Sequence, residues 1–104
     1  MSIRVSRGDI VLVDLEPVLG HEHGKKRPVL IIQNDVGNEY SPVTIVASIT
    51  SRVFEKEYPT NVFIPYNITG LQKDSTILLN QIRTIDKERI IKKLGKINKE
   101  YVRK

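Results

Sequence analysis

Pro28 divides two stretches of opposite character. Before it stand three cations, Lys25-Lys26-Arg27, and after it comes the apolar run Val29-Leu30-Ile31-Ile32. The proline ring fixes its own backbone angle and disfavours a helical conformation for Arg27. The run that follows is short, β-branched and of strand length, which predicts a buried strand. An always-charged guanidinium is thus held at the start of a rigid element, where it could meet a phosphate in two-pronged geometry. A solvated loop arginine is the plainer alternative, and this segment alone does not decide between them.

The remaining pattern is also of short strands. Asp9 to Leu15 is β-branched and closed by Pro17 and Gly20, and a loop over 16–26 joins it to the strand Val29 to Gln33. Asn34 to Asn38 is dense in turn formers, with Ser41-Pro42 ending that connection. Val43 to Thr50 alternates: Val43, Ile45, Ala47 and Ile49 share a face that predicts core. Thr44, Val46, Ser48 and Thr50 share the other, which carries three hydroxyls and predicts a wet groove. Asn61 to Pro65 is a further strand that Pro65 ends or places at an edge.

Ser75 to Ile85 is the longest strand candidate, with Ile77, Leu79, Gln81, Arg83 and Ile85 on one face. Asp86 reads as the N-cap of a helix to about Leu94, with Ile85 and Ile90 as a hydrophobic staple and Gly95 at C′. Asn98 is placed to cap a second, short helix. The fold class expected is α+β, mainly antiparallel β: a small barrel with short C-terminal helices, in one domain over 1–104.

Composition narrows the chemistry. The 104 residues contain no cysteine, which excludes disulfides and thiolate metal sites and fits the cytoplasm. No apolar stretch approaches the roughly 20 residues of a membrane span, and the first residues lack the apolar core of a signal peptide. His21 and His23 have no third ligand or carboxylate pair beside them, so no metal is expected. Neither a serine-nucleophile elbow nor a glycine-rich nucleotide loop is present, and no cofactor is implied. The net charge of +5 favours an anionic partner, nucleic acid or an acidic protein. Nine basic residues against three acidic ones lie from Arg83 to Lys104, which predicts a solvated helical surface able to dock an acidic segment.

Cleavage of RNA suits such limited equipment. The ribose 2′-hydroxyl is itself the nucleophile, so a fixed arginine and hydroxyl donors can stabilise charge at phosphorus without a metal or covalent intermediate. The proton transfers are harder to assign. Arginine has a pKa above about 12 and is a poor general base, whereas His21 and His23 suit by pKa but read more simply as solvated loop residues.

Four blocks then carry a family resemblance: Arg7-Gly8-Asp9-Ile10-Val11 with Asp14-Leu15; Arg27 through Asp35; Ile49-Thr50-Ser51; and Leu79 through Asp86. In order and spacing they resemble the successive motifs of the MazF/PemK toxins, the ribonucleases of bacterial toxin–antitoxin pairs. The resemblance implies an SH3-like barrel of the MazF/CcdB type, a homodimer, and metal-independent cutting of single-stranded RNA to 2′,3′-cyclic phosphate and 5′-hydroxyl ends. It implies an acidic MazE-like antitoxin as partner, and Arg27 and Thr50 as the catalytic pair. Gln81 falls where family members read a base, with a strand-to-backbone hydrogen bond as its structural alternative.

Asn34 and the loop residues Gly20, His21 and Glu22 are expected to line the same groove. Tyr58 is placed either to stack on an unpaired base or to form an apolar lid. Arg83 and Asp86 are expected to support the site structurally through an ion pair, and Arg7-Gly8-Asp9 to be scaffold with a turn glycine. Two other classes remain possible from the sequence: a CcdB-like toxin that binds DNA gyrase without catalysis, against which Arg27 and Thr50 argue, and an RNA-binding barrel that leaves its ligand intact.

Overall fold

A computed structural model describes residues 4–15, 26–51, 60–65 and 71–97. They form one six-stranded antiparallel sheet: β1 (Asp9–Asp14), β2 (Lys26–Ile31), β3 (Val43–Thr50), β4 (Asn61–Ile64), β5 (Ser75–Asp86) and β6 (Ile90–Lys96), in the spatial order β4-β5-β3-β2-β1-β6. A six-residue helix, α1 (Asp35–Tyr40), joins β2 to β3. The mainly antiparallel architecture is as expected, but the sheet is open rather than closed into a barrel. No helix among the described residues is long and apolar enough to cross a membrane.

The central strands are buried on both faces, which explains their near-continuous apolar runs. One cluster takes Val11, Val13, Val29, Ile31, Val46, Ile85 and Ile90; the other takes Ile10, Leu30, Ala47, Ile49, Ile64, Ile77 and Ile97. In the first, Ile85 of β5 meets Ile90 of β6, although three strands lie between them. A flat sheet could not bring them together, so strand twist has curled it.

The wet face expected of β3 is therefore only half wet. Thr44 and Val46 are fully buried, the Thr44 hydroxyl donating to Asn38 Oδ1 at 2.7 Å. The face opens to solvent only from Ser48 and Thr50 onward, where both residues are half-buried.

The expected helix from Asp86 to Leu94 is corrected. Asp86 does cap a turn, accepting a hydrogen bond from the Glu88 amide at 2.8 Å, but that turn is a 3-10 helix of three residues, Lys87–Arg89. The chain then enters β6 and pairs with β1, with Ile90 opposite Val13. Burial of Ile90 in the first cluster and the unpaired edge of β1 outweigh a locally favourable cap. Gly95, expected just past a helix, pairs with Ile10 inside the strand. The basic surface of this region is consequently an edge strand with Lys92, Lys93 and Lys96 exposed, a charge pattern that discourages further strand pairing. Lys93 pairs with the buried Asp9 at 3.4 Å. The second helix expected after Asn98 lies outside the described residues.

The turn formers at 34–38 build α1 instead of an irregular connection. Asn34 caps it, its Oδ1 accepting from the Gly37 amide at 2.9 Å. Gly8 supplies the scaffold turn expected of it, with φ 96 in the left-handed region. Its amide donates to the Ile31 carbonyl and its carbonyl accepts from Ile97, so this turn ties β1 to its neighbours.

Candidate functional site

Register decides which side chains meet. A continuous row crosses five strands on one face: Val11, Val29, Ser48, Leu78 and Asn61. Two residues further along each strand lies the next row on that face. Its members are Val13 opposite Arg27, then Thr50 opposite Thr76, then Phe63 opposite Thr76. Continuing the pairing of Val29 with Ser48 by two residues brings Arg27 across from Thr50. Directly opposed side chains in an antiparallel pair have Cβ atoms about 4.5–5.5 Å apart.

Arg27 and Thr50 line one cleft of about 310 Å³ at this end of the sheet. Lys26, Ser51, Gln72, Lys73 and Ser75 complete its polar wall, while Pro28, Ile49 and Leu71 supply apolar surface. Three cations and three hydroxyls thus converge without a carboxylate among the lining residues. Such a wall suits a phosphate, whose oxygens accept hydrogen bonds from ammonium, guanidinium and hydroxyl donors. The Ser75 hydroxyl donates to the Lys73 carbonyl at 3.0 Å, which fixes the turn from which Lys73 projects. Among the described residues no carboxylate forms an ion pair with Arg27.

Other expected site residues fall elsewhere. Asn34 is not brought into this cleft: it stands beyond the far end of β2, where its side chain caps α1. Gln81 is exposed and does not line the cleft either. It lies in an irregular stretch of β5, because Ala47 pairs with Ile82 while the next residue, Ser48, pairs with Leu78. Leu79, Asn80 and Gln81 are the three residues without partners on β3, a bulge that the Leu79 amide ties to the Thr60 carbonyl at 2.7 Å.

The ion pair expected between Arg83 and Asp86 is not formed. The two are three positions apart on regular strand and point to opposite faces, and the Asp86 carboxylate is engaged by the 3-10 turn. Gly20, His21, Glu22 and Tyr58 lie outside the described residues. Lys73 and Ser75 were missed by sequence reasoning, since nothing in a lone Lys-Asp-Ser segment announces that the chain returns to Arg27.

A second cleft of about 550 Å³ lies at the opposite end of the strands, between Arg4, Ser6, α1 residues Asp35, Asn38 and Glu39, and Lys87 and Lys93. Its charges are of both signs; Lys93 pairs with Asp9, and the Lys87 ammonium donates to the Asn38 carbonyl. Asp35 accepts from the Arg7 amide at 2.7 Å, a bond that, with lesser help from Asn38, Lys96 and Arg7, holds its carboxyl below the usual range despite opposing desolvation.

Comparison with known proteins is decisive on ancestry. Residues 6–104 match the family described as PemK-like, MazF-like toxin of type II toxin-antitoxin system. The chain belongs to the PemK/MazF toxin family. It is 49% identical over 100 residues to endoribonuclease EndoA of Bacillus subtilis, covering 96% of this chain and 86% of that protein. Among solved structures, MazF from Deinococcus radiodurans superposes with a TM-score of 0.76 at 24% identity, covering 97% of this chain and 88% of the other. An endoribonuclease in complex with its cognate antitoxin, from a mycobacterial species, gives 0.75 at 19% identity, covering 95% and 84%. At these identities the two structures establish a shared fold.

Proposed function

We propose that this PemK/MazF family chain is the toxin of a type II pair and acts as a sequence-specific endoribonuclease on single-stranded RNA. The observation that carries the reading is the presence of Arg27 and Thr50 together in one cleft walled by cations and hydroxyls. The name of its 49%-identical relative supports it. Arg27 binds the non-bridging oxygens of the scissile phosphate and takes part in proton transfer, and the Thr50 hydroxyl donates to the same phosphate and orients it. The 2′-hydroxyl of the preceding ribose attacks phosphorus and the 5′-oxygen of the next nucleotide leaves. The products carry a 2′,3′-cyclic phosphate and a 5′-hydroxyl. No metal is needed, because the charge that develops on phosphorus is met by fixed donors.

The protein acts in the cytoplasm as a homodimer. An acidic MazE-like antitoxin restrains it by ordering over the basic surface and occluding the cleft, as suits a disordered segment that folds on binding. Cleavage of a long single-stranded RNA in EDTA tests the chemistry. Wild type should give discrete fragments with cyclic phosphate ends, and Arg27→Ala should lose on the order of 100-fold or more in rate. Thr50→Ala should also lose cleavage. Intact RNA from folded wild type would point instead to a non-catalytic toxin that binds a protein such as gyrase, or to RNA binding alone.

A further inference from the structure

Strand β4 carries two side chains on the face of the Arg27 cleft that neither core packing nor the chemistry of cleavage explains. Its alternation is clear: Ile64 is fully buried and Val62 packs on the second apolar cluster, so Asn61 and Phe63 point the other way. Phe63 is 48% exposed, an uncompensated position for a large aromatic ring. It stands in the same row as Thr76 and Thr50, and Asn61 stands in the adjoining row with Leu78 and Ser48. With strands roughly 4.8 Å apart, Phe63 lies about 10 Å from Thr50 and about 14 Å from Arg27 across the sheet. An RNA strand whose phosphate sits at Arg27 and Thr50 would therefore pass over β5 and present a neighbouring base to β4.

From this placement, and resting on the ribonuclease reading above, we propose that Asn61 and Phe63 form a subsite for a nucleotide flanking the cut. Phe63 offers its ring face to the base, which stacks regardless of identity. Asn61 offers a side-chain amide with both donors and an acceptor, the equipment needed to read a base edge. The two residues thus divide the labour, Phe63 contributing affinity and Asn61 selectivity. Both sit on a rigid strand rather than a loop, so the subsite holds its geometry before RNA arrives.

The test maps cut positions and rates on a long single-stranded RNA for wild type, Phe63→Ala, Phe63→Tyr and Asn61→Ala, with folding checked by circular dichroism. Phe63→Ala should lower kcat/KM roughly ten-fold or more, as expected for removal of one stacking platform, while Phe63→Tyr retains wild-type efficiency. Asn61→Ala should keep the cut itself but relax the base preference at one flanking position. Wild-type rates and base profiles in both alanine variants would overturn the proposal. A parallel binding titration uses a single-stranded oligonucleotide with 2-aminopurine at successive positions. Quenching at one position in wild type, lost in Phe63→Ala, supports stacking even if wild type leaves RNA uncut, and equal quenching in both refutes it. Uncut RNA would sink the ribonuclease reading without touching the subsite.

Discussion

Replacing Asn38 with alanine should destabilise this protein far more than replacing Thr44 with valine, although the two side chains share a hydrogen bond. Asn38 is 4% exposed and its amide is the hub of a buried network at the α1 end of the sheet. Its Nδ2 donates to the Gln33 carbonyl at 2.9 Å, and its Oδ1 accepts from Thr44 at 2.7 Å and from Gln33 Nε2 at 3.2 Å. Alanine deprives two groups of their partner, the fully buried Thr44 hydroxyl and the Gln33 carbonyl. Gln33 Nε2 keeps a bond to the Val43 carbonyl at 3.1 Å. At about 1–3 kcal/mol for each unsatisfied buried group, and with a little returned by alanine's better helix propensity, the expected loss is about 2–4 kcal/mol.

Valine at position 44 behaves differently. It removes the hydroxyl without leaving an orphan, because Oδ1 of Asn38 still accepts from Gln33, so the cost should stay under about 1 kcal/mol. For a domain of this size each kcal/mol corresponds to about 4–6 °C in Tm, which separates the variants by roughly 10 °C. Thermal unfolding followed by circular dichroism at one fixed protein concentration is the assay, since self-association would shift Tm by mass action. The double variant should be more stable than the sum of the single losses predicts, because the hydroxyl orphaned by Asn38→Ala is then absent. Equal losses in the two single variants, or simple additivity in the double, would refute the reasoning.

Lys73→Gln should weaken RNA binding by one phosphate contact. Plotting log affinity for a single-stranded oligonucleotide against log salt should then give a slope smaller in magnitude by about 0.7, with an unchanged slope removing Lys73 from the cleft's phosphate-binding wall. Asp35 predicts an acid-side effect. Because its folded carboxyl ionises below its ordinary value, through the Arg7 amide first, its contribution is complete above the ordinary carboxylate pKa and fades as pH falls through the lowered one. The Tm advantage of wild type over Asp35→Asn should accordingly hold at neutral pH and shrink below about pH 4, and a gap constant from pH 6 to 3 would contradict it.

Most strand positions were legible in the sequence as short β-branched runs between turn formers, although the strand expected from Val29 to Gln33 begins three residues earlier, at Lys26, and ends at Ile31. Val43 to Thr50 agrees with β3 residue for residue, and Ser75 to Ile85 with β5 to within one. The helix expected at Asp86 was not legible as a strand, because its cap and staple are sound local signals. Only the free edge of β1 and a place for Ile90 in the first cluster convert that segment to β6, and both are tertiary facts. Arg27 and Thr50, the pair proposed for catalysis, were named through motif resemblance, whereas Lys73, Ser75, Asn61 and Phe63 were not readable, since their proximity depends on how β4 and β5 stack beside β3.

The bulge in β5 shows why face assignments from alternation fail in this fold and why the failure matters for function. Ile77 and Ile85 have the same parity, and uninterrupted alternation puts them on one face. The three residues without β3 partners, Leu79 to Gln81, are an odd number, so the strand emerges inverted: Ile77 packs in the second cluster and Ile85 in the first. That inversion lets a single strand contribute to both cores while its first half faces Thr50 with Thr76 and its second half faces the first cluster with Ile85. It also leaves Gln81 exposed on a segment released from the β3 ladder, anchored through Leu79 to the start of β4. Regular alternation onward from Thr76 and Leu78 would instead turn Asn80, Ile82 and Thr84 to the face where Ile85 now packs. The irregularity therefore holds the Thr50–Thr76 row and the first apolar cluster on one face, which regular alternation through this sequence would separate.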